Sequence, residues 1–290
     1  MADGRKIRAG ESGSEWEVFG RRVAELRAEA GLTPSDLTMR EVLGAAELRE
    51  IERGTTVPTR CTASYLDRKT GAKGRLVNSW ARATINTHLA DGSRPHELDR
   101  SAHTIREFSP GTIPSPLRSH DYATALGRFY GHDIPRDGAW NRPGDMRVVV
   151  NETAVRTPVG GGEVMREQSR RLISSIRHSG LRLQIVPQRA VEHPCPMGPF
   201  RLLSLGPAYT VAHVLAPCGD GQLITAPSEV QAFSDLFEDL RAAALPVADS
   251  LDLLTEVAAG METDPSPRAI GSGHEEDHIG GVTTLSTIAR

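Results

Sequence analysis

Residues 32–58 read LTPSDLTMREVLGAAELREIERGTTVP, a stretch with start signals, stop signals and an apolar pattern for two short helices joined by a tight turn. Thr33 is placed as an N-cap, Pro34 suits the first helical position because its φ is already helical, and Asp36 faces the free N–H groups of that first turn. Leu37, Val42 and Leu43 supply the inward face of the first helix before Gly44 interrupts it. In the second helix Leu48 and Ile51 share one side, Gly54 is set for a left-handed C′ position, and Pro58 blocks continuation. Upstream, FGRRVAELRAEAG puts Phe19, Val23, Leu26 and Ala30 at helical spacing with Gly31 as a stop. The expectation is three helices and two turns in one small unit.

From Phe19 to about Trp80 the chain resembles a phage-repressor-like (Xre-type) helix-turn-helix domain. The residues that carry the resemblance are Leu26, Arg27, Gly31, Leu32, Thr33, Leu37, Leu48, Ile51, Glu52, Arg53, Gly54 and Pro58. It implies a lambda-repressor-like all-α fold with Leu48 and Ile51 in the core, and a charge-assisted clamp between Arg27 and Glu52. It also implies a recognition helix over residues 45–53, with Arg40, Arg49, Arg53 and Arg60 facing phosphate and Ala45, Ala46 and Glu47 at base edges.

Several features pull against DNA binding. Pro34 stands where the family usually carries a Gln whose side chain and N–H help hold a phosphate, and proline has no N–H to offer. The alanines can touch a thymine methyl but cannot make bidentate hydrogen bonds, and Glu47 and Glu50 face phosphate repulsion unless each accepts from a cytosine amino group. Residues 1–80 hold fourteen Lys and Arg against twelve Asp and Glu, a net +2 that is small for a surface whose affinity comes from neutralising phosphates. Two readings therefore stand. One is a cytoplasmic, homodimeric regulator of transcription on double-stranded DNA. The other is a helix-turn-helix turned protein-interaction module, antitoxin-like, with little DNA affinity and a small protein partner.

At 290 residues the chain is long enough for two domains. A net charge of −3 indicates no global attraction to nucleic acid or anionic membrane, and no apolar run approaches the roughly 20 residues of a membrane span. The polar start, MADGRKIRAGESGSE, lacks an apolar core and reads as an arm over residues 1–14, not a signal peptide. Cys61, Cys195 and Cys218 form no CxxC pair, which fits a reducing compartment. The expected organisation is a disordered arm at 1–14, the helical domain at 15–90, a linker at 91–97, an α+β domain at 98–259 and a disordered tail at 260–290.

In the helical domain, TRCTASYLDR and residues 76–89 read as a fourth and a fifth helix, with Trp80 as a buried anchor. After DGSRP, residues 96–108 place Leu98, Ala102, Ile105 and Phe108 on one helical face, and a helix with Tyr122, Leu126 and Phe129 follows. MRVVVNE and LRLQIVPQ read as strands flanking a helix of about four turns; FRLLSLG and YTVAHVLAP read as a hairpin around Gly206, Pro207 and Ala208; QLITA is a further strand before two closing helices. The overall expectation is α+β, all-α at the N-terminus and then a mixed α+β domain with a mainly antiparallel sheet.

The second half brings a second resemblance. NETAVRTPVGGGEVMREQ, LRLQIVP, GPFRLLSLG and FEDLRAAALPVADSL resemble the C-terminal domain of unknown function of actinobacterial helix-turn-helix regulators of the antitoxin-like type, from about Leu98 to Ala258. The resemblance implies a cytoplasmic transcription regulator, often encoded beside a small toxin-like or regulatory partner, with no enzymatic activity established; the expectation is a protein that is not an enzyme and carries no cofactor.

Three residue sets invite other chemistry. His274–His278 matches HExxH, but GSG before it and IGG after it cannot build the rigid helix that a catalytic zinc needs. His193, Cys195, His213 and Cys218 are soft and imidazole ligands at irregular spacing, and read as inert thiols with a strand histidine. Gly160–Gly162 precede a helix without a phosphate-loop pattern, and Glu163 and Glu167 would repel an anion there, so they read as a turn. The apolar faces of the closing helices, Val230, Phe233, Phe237, Leu240 and then Leu251, Leu254, Val257, read as core, with a dimer interface as the alternative.

Overall fold

A computed structural model describes residues 5–6, 13–38, 43–90, 95–130, 146–189, 198–216 and 221–261. The N-terminal helices are α1 (Gly13–Glu29), α2 (Ala45–Arg53), α3 (Arg60–Lys69) and α4 (Arg75–Ala90), with a 3-10 turn at Pro34–Leu37 between α1 and α2. That turn corrects the sequence reading of a full helix. The Thr33 N–H (2.7 Å) and hydroxyl (2.6 Å) both donate to Asp36 Oδ2 at the start of this turn, and they hold that carboxyl below its usual range. Thr38 is already extended, at φ −85° and ψ 138°, so the turn ends after four residues. Within the expected arm, Arg5–Lys6 form strand β1 and pair antiparallel with β2, Thr56–Val57. Backbone pairing, which side-chain polarity does not forbid, is what holds those two residues.

Glycine sets the spacing of α1 and α2. A Cβ on Gly20 would lie 2.2 Å from the Ile51 carbonyl oxygen, so only glycine lets the two backbones approach this closely. At the start of α4, Asp67 gathers the N–H groups of Gly74 (2.7 Å), Leu76 (2.9 Å) and Val77 (3.4 Å) while itself buried. It satisfies helix donors that have no intrahelical partner. Asp67→Ala should lower stability by about 2 kcal/mol in urea denaturation.

The second half builds a six-stranded sheet. Its strands are β3 (Thr104–Ser109), β4 (Met146–Asn151), β5 (Arg182–Val186), β6 (Phe200–Gly206), β7 (Tyr209–Val214) and β8 (Gln222–Ile224), in the order β5-β4-β3-β6-β7-β8. The β5–β4 and β4–β3 pairs are parallel and the other three are antiparallel. The helices are α5 (His120–Tyr130), the short α6 (Glu152–Arg156), α7 (Gly162–Ser179), α8 (Pro227–Ala243) and α9 (Val247–Gly260). One face of the sheet is covered by α7 and α9 through Met165, Leu172 and Leu254, the other by α8 through Val230, Phe237 and Leu240. The apolar faces of the closing helices are thus largely core. Gly160 and Gly161 take positive φ at the turn into α7, as a turn requires.

The largest departure from the sequence reading is at 96–108, where a 3-10 turn (Pro95–Arg100) and the central strand β3 replace the expected helix. Ile105 and Phe108 lie in different cores, on opposite faces of the sheet. Their three-residue spacing imitates a helix only because Glu107, between them, is buried with a partner. Arg201 of β6 lies opposite Glu107 in register and donates to it through Nε at 2.7 Å, to Asp99 through Nη1 at 2.7 Å, and to Ser115 through Nη2 at 2.7 Å. One guanidinium, 2% exposed, thereby ties the 3-10 turn after α4 to the centre of the sheet.

The helical unit and the sheet share a core. One apolar cluster runs from Trp16, Phe19 and Leu26 through Leu76 and Trp80 to Leu203, Leu205 and Val211. Residues 91–94 of the expected linker lie outside the described residues, and Leu98 and Asp99 beyond them are buried. The β6–β7 turn meets α4 through Asn78, whose Oδ1 accepts from Ala208 N at 3.1 Å, and a Cβ on Gly206 would come within 2.6 Å of that oxygen.

Candidate nucleic-acid interface

Helix α2 starts at Gly44, an N-cap with φ −82° and ψ 157°, and ends at Gly54, a left-handed cap with φ 72° whose N–H returns to the Glu50 and Ile51 carbonyls. Leu48 and Ile51 are fully buried against α1. The clamp expected from the resemblance is present in the geometry: Arg27 Nε donates to Glu52 Oε1 at 2.7 Å and Nη1 to the Leu32 carbonyl at 3.2 Å. It anchors the outer edge of α2 to α1.

The opposite side of α2 exposes Ala45, Ala46, Arg49 and Arg53 as one stripe. Residues 45, 49 and 53 repeat every four positions, which puts them on a single face at about 3.6 residues per turn. Glu47, expected at base edges, is instead half-buried one turn before Ile51, on the side that packs. Glu50 is half-buried as well, and its Oε2 accepts from the Thr56 hydroxyl at 2.8 Å. Both carboxylates that would repel phosphate are therefore off the stripe. The sequence alone could not show this, because the direction of each side chain depends on where α1 and the 56–57 strand lie.

The other expected phosphate contacts divide. Arg40 lies outside the described residues. Arg60 is half-buried, and its Nε donates to the Leu205 carbonyl at 3.3 Å, so it belongs to the contact between the helical unit and the sheet. In exchange, strand β1 brings the backbone of Arg5 and Lys6 beside the exit of α2, opposite Val57 and Thr56.

Among the described residues no group of three His, Cys, Asp or Glu is disposed to hold a metal, and no helix is long and apolar enough to cross a membrane. His213 lies buried in β7; His193, Cys195, Cys218 and the HExxH stretch at 274–278 lie outside the described residues.

These elements define an N-terminal helical unit docked on a mixed α+β sheet domain. Within the second of these, residues 136–256 match the family described as Domain of unknown function (DUF5753), a span that takes in β4 and most of α9. No curated protein and no solved structure matches the chain.

Proposed function

We propose that the protein is a cytoplasmic, antitoxin-like regulator of transcription, a homodimer that reads double-stranded DNA with the helix-turn-helix formed by the 34–37 turn and α2, and not an enzyme. The observation that carries this reading is the exposed stripe of Ala45, Ala46, Arg49 and Arg53, with Glu47 and Glu50 turned aside. Arg49 and Arg53 suit phosphate, and the two alanines at the start of the helix fit closely against base edges and thymine methyl groups.

Fluorescence anisotropy on DNA from the upstream region of its own gene, against scrambled DNA at two salt concentrations, tests it. Selective binding should weaken as salt rises. Arg49→Ala and Arg53→Ala should each weaken binding to all sequences and reduce the slope of log affinity against log salt by about 0.9. An unchanged slope in both variants would remove α2 from the interface.

A second reading is favoured by one observation. The turn ahead of α2 is a four-residue 3-10 turn that begins at exposed Pro34, so it presents neither a full helix nor a proline N–H to a phosphate. On that reading the unit is a protein-interaction module. A small protein co-purifying with the chain, with no retention on heparin, would favour it over DNA reading.

A further inference from the structure

The register of the parallel strands places Arg182 of β5 opposite Arg147 of β4, and Arg147 opposite Arg106 of β3. Three guanidinium side chains therefore leave the same face of the sheet from adjacent strands, spaced about 4.8 Å apart. The face is the one that carries α8. Arg106 Nη2 lies 3.5 Å from Ser234 Oγ, its Nη1 lies 4.0 Å from Glu238 Oε1, and its guanidinium sits 5.9 Å from the centre of the Phe237 ring.

Like charges directly opposite one another on neighbouring strands destabilise a sheet. Little here offsets that cost. Glu238 is shared, because its Oε2 also takes Arg241 Nη2 at 2.9 Å. Among the described residues, neither Arg147 nor Arg182 has an ion pair or a side-chain hydrogen bond. Burial pushes the Arg106 guanidinium below its usual value; Glu238 opposes this and the Arg147 charge adds to it. Exposure rises along the row, from half-buried Arg106 and Arg147 to exposed Arg182, so the row is open to a ligand from the β5 edge.

We propose that the Arg106–Arg147–Arg182 row binds a small oligophosphate, either inorganic or the phosphate chain of a nucleotide. Guanidinium forks match phosphate oxygens two at a time, and a row of three spans about 10 Å, the scale of linked phosphates with several charges. A monoanion would neutralise one arginine and leave the repulsion between the others. A duplex on α2 is a poor occupant, because the helical unit packs through α4 on β6 and β7 in the core of the other sheet face. The inference does not depend on DNA binding.

Calorimetric titration of the full-length protein with sodium tripolyphosphate and with ATP, at matched ionic strength and with monophosphate as reference, tests the proposal. The expected result is saturable binding of one ligand per chain, at least about tenfold tighter for tripolyphosphate than for monophosphate, and a ligand-induced rise in melting temperature. Arg147→Gln and Arg182→Gln should each weaken binding about tenfold or more, while the ligand-free variants melt no lower than the parent because like-charge repulsion is relieved. Arg49→Ala should leave this binding unchanged. Tighter binding of ATP would identify a nucleotide as the source, and equal binding the phosphate chain alone. Unsaturable binding at about 1 mM, or equal affinity in the parent and both Gln variants, would overturn the proposal.

Discussion

Arg201→Met is expected to lower stability by about 3–5 kcal/mol, enough to leave a marginally stable domain largely unfolded. The substitution keeps most of the side-chain volume, so the loss comes from charge and not from a cavity. Arg201 lies between Glu107 and Asp99 with all three side chains nearly excluded from water. Without the guanidinium, two buried carboxylates lose the cation they share, and the cost of desolvating each as an anion, or of taking up a proton, rises. Urea denaturation followed by circular dichroism checks the size of the loss. Arg201→Met combined with Glu107→Leu should recover part of it, since replacing a buried ion pair by apolar side chains costs far less than removing one partner. A loss under about 1 kcal/mol for the single variant would mean that water reaches the cluster.

The second large effect is expected at Gly54. Gly54→Ala carries two independent costs. The residue sits at φ 72°, where a Cβ costs about 1–2 kcal/mol, and that Cβ would lie 2.5 Å from the Glu17 amide nitrogen, against the backbone of α1. Overpacking against a backbone adds about 1–3 kcal/mol, because no side chain can rotate out of the way. Gly31 separates the two terms. It has a similar φ of 69°, but a Cβ there meets nothing within 4 Å, so Gly31→Ala should show the conformational cost alone. Thermal melts of the pair should differ by the clash. If α2 is the DNA-reading helix, Gly54→Ala should also weaken DNA binding at temperatures where the protein remains folded, because α2 must shift on α1. Equal destabilisation of the two variants would show that α1 and α2 can part without cost.

Much of the architecture was legible because it is written in local patterns. The Gly54 cap, the Leu48 and Ile51 face of α2, the strands MRVVVNE and LRLQIVPQ and the turn at Gly206–Ala208 all follow from periodicity and turn chemistry, which neighbouring residues alone dictate. The stretch 96–108 departs from its apparent helical spacing because one of its polar residues, Glu107, is buried. Glu107 looks like a solvent-facing helix position until Arg201, ninety-four residues later in the chain, is seen to satisfy it. In the same way Arg60 reads from its sequence as a phosphate contact, and the docking of β6 against the helical unit engages it with the Leu205 carbonyl instead.

The class of each half, the limits of most helices and strands, and the buried side of α2 depend on spacing between near neighbours, and so follow from the amino-acid order alone. Where the charges point depends on the packing of distant segments. That packing turns Glu47 and Glu50 off the outward stripe, ties Arg60 to the sheet, buries Arg201 between two carboxylates, and sets Arg106, Arg147 and Arg182 side by side. A charged side chain is compatible both with water and with a distant partner. Which of the two it meets depends on strand register and helix docking, and neither is encoded within a single segment.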